Sequence, residues 1–312
     1  MTRRELVKAA IEHRQSPRVP YAIDWTPEAA KVIQDKLGAQ DMEAFFDNDV
    51  QSIAVPWWGW HELGPDWAAP DVPTSRATVV GIGSYDKIVD NVKAARDASD
   101  KYFLVRIYGS HFEKAYFSRG FENFLADIAG APAFAKKLCN LIVEKNLVML
   151  ENFLQLREID GVLLGSDWGS QRGPLMSLEA WDEMIAPGEK KEYDLVHAYG
   201  KDVWVHSCGD VSTLIGRLVD MGLDVLNPVQ PECMDIAMLK KQYGHKLAFW
   251  GAISTQQTLP FGSPDEVRTE VRRVRDLMSQ GGGYILSPAQ SLQDDVPVEN
   301  IQALLEVARE GR

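Results

Sequence analysis

The chain has 312 residues, 45% of them hydrophobic, and a formal net charge of −12. That length supplies one large domain with a full core. The negative charge argues against a general nucleic-acid binder, and no apolar run reaches the ~20 residues of a membrane span.

The chain opens on a helix start. Thr2 stands at an N-cap position with Glu5 three residues on, a capping-box spacing. The opening residues carry no apolar run of the kind an export signal needs, so none is expected. Strand-like and helix-like runs then alternate. Val19–Asp24 reads as a strand and Glu28–Leu37 as a helix. Gln51–Pro56 reads as the next strand. The segment from Trp57 to Ser84 is rich in Pro and Gly, carries Trp57, Trp58, Trp60 and Trp67, and is long enough to be a lid. Helix Tyr85–Ala98 and strand Tyr102–Tyr108 follow, then helix Pro132–Glu158 and strand Gly161–Ser166. Beyond these come helix Leu178–Tyr199, strand Val203–Cys208, helix Val211–Met221, strand Val225–Pro228 and helix Ile236–Tyr243. Strand Leu247–Gly251, helix Pro264–Gln280, strand Gly283–Ser287 and helix Val298–Glu310 complete the pattern. Gly200, Gly222 and Gly281 to Gly283 stop helices; Ser263-Pro264 and Pro297 start them. Eight strands with helices between them predict an α/β fold, a single (β/α)8 TIM barrel over residues 1–312.

Barrels of this kind place their chemistry at the C-terminal ends of the strands. Those ends carry Asp24, Tyr108, Asp167-Trp168 with Gln171, His206-Ser207-Cys208, Asn227 with Gln230, Trp250 and Gln290. His206 and Cys208 are two apart at a strand end, so both can point into one cavity. Imidazole and thiol are donors that zinc accepts. Each residue also has a plain structural use: Asp24 or Asp167 can cap a helix, Asn227 before Pro228 suits a turn, and a His and a Cys can simply pack. Together the carboxylates, amides, imidazole and thiol beside aromatic walls fit a small-molecule site. His13, His61, His197 and His245 read as surface or structural. Three cysteines, Cys139, Cys208 and Cys233, are too few for a disulfide framework, so a reducing cytoplasm is the expected setting.

The segments IDGVLLGSDWGSQRGPLMS, KDVWVHSCGDV, GLDVLNPVQPECMD, LAFWGAIS and GGGYILSPAQSLQDDVPVENI make the chain resemble the uroporphyrinogen decarboxylase-like superfamily. The likeness is densest from Ile159 to Ile301. True decarboxylases carry arginines just after the first strand to hold a tetrapyrrole's carboxylates; here Asp24 is followed by WTPEAAKVI. Their Gly-His-Gly run near the last strand is replaced by Ser287-Pro288-Ala289-Gln290. The resemblance is closer to the corrinoid-dependent methyltransferases and demethylases. Zinc-containing members of that branch carry an HxC pair at the fifth strand, matched by His206 and Cys208, and a further Cys at the eighth, where Gln290 stands here.

The resemblance implies transfer of a methyl group from a small O- or N-methyl substrate to a corrinoid (cobalamin) on a partner protein. His206, Cys208 and Asp167 would be catalytic: His206 would donate a proton to the leaving heteroatom, or with Cys208 and a carboxylate such as Asp24 would hold a zinc that does the same, the resemblance itself supplying no third ligand. Asp24, Tyr108, Trp168, Gln171, Asn227, Gln230, Trp250 and Gln290 would bind substrate. The implied partners are that substrate and the corrinoid protein, not nucleic acid or membrane, and a homodimer is compatible with the reading. A decarboxylase or lyase acting on another substrate, or a ligand-binding relative, are the alternatives on the same barrel.

Overall fold

The computed structural model describes residues 1–53, 55, 57–58, 79–80, 85–107 and 110–311. Most of the expected lid lies outside these residues, as do Tyr108 and His61; within it, Trp57–Trp58 pairs antiparallel with Val79–Val80. The framework is a seven-stranded parallel sheet. Its strands are β1 (Val50–Ile53), β2 (Tyr102–Ile107), β3 (Gly161–Gly165), β4 (Asp202–His206), β5 (Val225–Asn227), β6 (Ala248–Ile253) and β7 (Tyr284–Pro288). They lie side by side in chain order, each joined to the next through a helical segment, as parallel pairing requires.

The eighth expected strand, Val19–Asp24, is not a strand. It runs beside β7 through an isolated bridge from Tyr21 to Leu286, and a second bridge joins Trp25 to Leu292. On its other side a single backbone bond joins Asp49 N to the Tyr21 carbonyl at 3.0 Å. The usual ladder is replaced there by side chains: Asp49 accepts from Tyr21 N at 2.9 Å, and Asn48 both accepts from Ile23 N and donates to the Ile23 carbonyl. Among the described residues the structure therefore shows a seven-stranded parallel sheet and not a closed eight-stranded ladder.

Alternation along the strands sorts two cores. One face of the sheet carries Tyr102, Leu104, Leu163, Trp204, Val225, Ala248, Trp250 and Ile285, packed with Val7, Ala10 and Ile11 of the first helix, Arg3–Ile11. The Trp204 ring meets Tyr102 and Trp250, each at 5.4 Å between centroids. The opposite face (Phe103, Val105, Val162, Leu164, Val203, Val205, Leu226 and Phe249) packs in the larger cluster with the helices. The first helix starts with the expected capping box between Thr2 and Glu5. It is tied under the sheet by Lys8 on Asp202 at 2.7 Å and by Arg4 on buried Asp160.

Several helix limits differ from expectation. The run 178–199 is two helices, Leu178–Met184 and Ala186–Ala198, because Pro187 cannot continue the first and suits the opening turn of the second. Helix Ile215–Met221 starts late, since Asp210 turns back to hold Ser212 N at 2.9 Å. Two helices the pattern did not suggest, His111–Arg119 and Phe121–Gly130, follow β2 and are separated by Gly120.

Candidate functional site

The register of the sheet assembles the site. His206 pairs with Gly165 of β3 on one side and with Asn227 of β5 on the other. Its side chain continues the inner row that Trp204 begins, two residues earlier. Asp167 lies two residues beyond Gly165, and Cys208 two beyond His206, so both reach the same level. His206 Nε2 stands 3.3 Å from Cys208 Sγ and 3.8 Å from Asp167 Oδ1. Asp167 Oδ1 also accepts from the Cys208 backbone N at 2.9 Å. One donor atom from each of the three lies within 4.8 Å of the others.

The amide of Asn227 sets the imidazole. Its Nδ2 donates to the Trp250 carbonyl at 2.9 Å, so its Oδ1 faces His206 Nδ1, at 2.5 Å. An oxygen can only accept, so the proton of the neutral ring sits on Nδ1 and the lone pair on Nε2, toward Cys208 and Asp167. Gln290 Nε2 donates to Cys208 Sγ at 3.4 Å, with its own Oε1 held by Ser291 N. Gln230 Oε1 accepts from Gly209 N at 3.3 Å and fastens the Cys208 turn. Gly209 has φ of +79°, and a Cβ there would stand 2.6 Å from the Ser170 carbonyl. That close approach lets the ribbon Gly169–Ser170/Gly173–Pro174 pack on the turn. Burial first, then the Asp167 charge, pushes the Cys208 thiol up to about 12.

Asp24, His206, Asn227 and Gln290 line one cavity with Pro228 and Ser287. Asp24, one carboxylate that could have served as a third ligand, is held bidentate by Arg106 at 2.6 and 2.9 Å; the carboxylate that joins His206 and Cys208 is Asp167. Two of the three expected aromatic walls, Trp168 and Trp250, are core; Tyr108 lies outside the described residues. Trp168 is fully buried edge-on against Trp181. Trp250 is buried too, with its Nε1 donating to the Ala22 carbonyl and Arg106 over its ring. Gln171 is exposed at the ribbon's turn, outside the cluster.

Three residues near the mouth were missed. Arg106 was detectable as the inner-row position after Tyr102 and Leu104. Glu113 and Tyr116, whose hydroxyl donates to Glu113 at 3.2 Å, lie on the unforeseen helix after β2. Burial, then Glu113 and Asp167, raise the Tyr116 phenol, and Glu113 adds to the shift of Cys208, so both sit within electrostatic reach of the cluster.

A parallel sheet with converging polar groups beyond the ends of its strands defines an enzyme-like α/β protein. Residues 85–311 match the uroporphyrinogen decarboxylase family, and the chain belongs to that family. Among solved structures, a methyltransferase from Methanosarcina mazei is similar over 99% of this chain and 99% of that one, with TM-score 0.72 and 14% identity. A 3-keto-D-glucoside 4-epimerase from E. coli aligns over 72% of this chain and 83% of that one, at TM-score 0.44 and 13% identity, too weakly to bear on function. Comparison with curated proteins gives no match. Among the described residues no helix is long and apolar enough to cross a membrane.

Proposed function

We propose that this chain moves a methyl group from a small O- or N-methyl compound to the cobalt of a corrinoid carried by a separate protein. The observation that carries the reading is the convergence of Asp167, His206 and Cys208 within 4.8 Å. Its support is family membership and a backbone that follows a methyltransferase end to end. The three donors are a carboxylate, an imidazole and a thiol, a set that suits a catalytic zinc with one open position. Bound there, zinc would supply Lewis acidity at the heteroatom the methyl group leaves.

The protein's own groups do the rest. Asn227 fixes the ring so that Nε2 faces the substrate side. Gln290 donates to the sulfur, which favours its thiolate form. Arg106 neutralises Asp24 beside the cavity, and Glu113 and Tyr116 stand ready to orient a polar substrate. Uroporphyrinogen decarboxylation is disfavoured: Arg106 is engaged by Asp24 rather than offered to a substrate carboxylate. In this reading residues 1–312 act as one domain, in the cytoplasm, with no nucleic-acid partner.

The direct assay is spectroscopic conversion of cob(I)alamin to methylcobalamin with candidate O-methyl and N-methyl compounds. His206→Ala is expected to slow it by roughly 100-fold or more, the scale of a lost acid–base or ligand group. Uroporphyrinogen turnover at ordinary enzymatic rates, or a fully active His206→Ala, would overturn the assignment.

A further inference from the structure

A second polar cluster lies behind the ends of β2 and β3. Ser166 continues the outer row of Val162 and Leu164, so it points away from His206 into the helix layer. There it bonds Glu189 of helix Ala186–Ala198, beside His111 of helix His111–Arg119; Glu192 of the first of these helices, Lys114 of the second and Asn146 of helix Pro132–Leu154 continue the cluster. His111 and Lys114 are three residues apart, as are Glu189 and Glu192, so each pair shares a helix face. His111, Lys114, Glu189 and Glu192 are all 0% exposed.

The hydrogen bonding is half complete in a consistent way. Glu189 Oε1 accepts from Ser110 Oγ at 3.1 Å and from Ser166 Oγ at 3.3 Å. Glu192 Oε1 accepts from Asn146 Nδ2 at 2.8 Å, and Asn146 Oδ1 accepts from Lys114 Nζ at 2.9 Å. Glu189 Oε2, Glu192 Oε2 and both ring nitrogens of His111 make no well-formed hydrogen bond among the described residues. Tyr193 approaches Glu189, and the Ile185 carbonyl approaches His111, without meeting that geometry. His111 Nδ1 stands 3.3 Å from Glu189 Oε1, and one donor atom of each of the three residues lies within 4.8 Å of the others.

Orphaned polar atoms inside a protein call for an ion, a water or a proton. The pattern favours the ion. Each carboxylate has one oxygen anchored by a neighbour and one left over, which is how outer hydrogen bonds orient metal ligands. Gly188 makes room for the imidazole, since a Cβ there would stand 2.9 Å from His111 Nε2. One imidazole and two carboxylates suit zinc, manganese or ferrous ion better than calcium or magnesium.

We propose that His111, Glu189 and Glu192 form a buried site for one divalent transition-metal ion, separate from the His206 cluster. The ion would tie helices His111–Arg119 and Ala186–Ala198 to the ends of β2 and β3, and loading would occur during folding.

The test uses the full chain, unfolded with chelator, refolded with zinc and desalted. Wild type is expected to hold about one zinc more per chain than Glu189→Gln/Glu192→Gln, whatever the His206 site holds. The amides are close in shape and uncharged, so the variant keeps its packing. As a second arm, a His206→Ala/Cys208→Ser variant refolded with zinc should hold about one ion and unfold at higher urea than its zinc-free form. Loaded with cobalt, it should show no thiolate-to-metal absorption. Equal zinc in wild type and the glutamine variant, or less than about 0.2 zinc in the His206→Ala/Cys208→Ser variant, far below one ion per site, would refute the site and leave a proton-sharing cluster. Loss of the His206 function alone would leave this result unchanged.

Discussion

A single amide decides which nitrogen of His206 faces the cluster. Removing it by Asn227→Ala frees the ring to take the other tautomer or to rotate. Outer partners of metal ligands are typically worth 10–100-fold in affinity. Zinc affinity at the His206 cluster, read by competition with a chromophoric chelator, should fall by about that factor with folding intact. An unchanged affinity would show that the Asn227 contact is incidental. At this scale the sequence was informative where a residue's position on a strand decides its direction. His206, Cys208, Asp167, Asn227 and Gln290 stand at strand ends, and the structure brings them together. Trp168 and Trp250 also stand at strand ends, but each ring found a packed partner nearby, which no spacing reveals. Arg106 escaped notice because it sits within an apolar strand and its partner, Asp24, is 82 residues away.

At the scale of elements, strands β1 to β7 and most of the helices that follow them were legible, because alternation, glycine stops and proline starts agree. The Val19–Asp24 segment was not, since its apolar run looks the same whether it forms a ladder or borrows side chains from Asn48 and Asp49. Helices His111–Arg119 and Phe121–Gly130 were hidden by aromatic composition and by the Gly120 break. The close crossing of β5 and β6 gives a sharp test. Gly251 has φ of +145°, and a Cβ there would lie 1.7 Å from the Pro228 carbonyl. Backbone cannot move aside as a flexible side chain does, so Gly251→Ala should cost roughly 3 kcal/mol or more through strain and overpacking. Urea unfolding measures this, and a loss below about 0.5 kcal/mol, the level of an ordinary surface change, would contradict the geometry.

At the scale of the molecule, pH should act through pairs that bridge separate segments. His197, near the end of helix Ala186–Ala198, bonds Asp224 at 2.8 Å, and that carboxylate also holds Val203 N at 2.7 Å. The Asp224 bond raises the His197 pKa against an opposing effect of burial. A raised folded pKa means the stabilisation is full below the unfolded value of about 6.5 and fades as pH rises through the higher folded one. The urea midpoint of wild type should therefore exceed that of His197→Gln at pH 6, with the gap closing toward pH 8.5. A gap that does not change with pH would remove this pair from the account.

The segment around residue 22 completes the assembly from partners made late. The Ala22 carbonyl accepts from Trp250 Nε1, 228 residues further on, and Ala22 N donates to the Leu286 carbonyl later still. At roughly 5–20 residues per second of synthesis, the first of these partners emerges about 10 to 45 s after Ala22. Until then this stretch cannot be seated on that side, and the growing sheet keeps an open edge. Birth of the chain on the ribosome thus has a vulnerable interval, set by how far apart the two halves of its last seam are encoded.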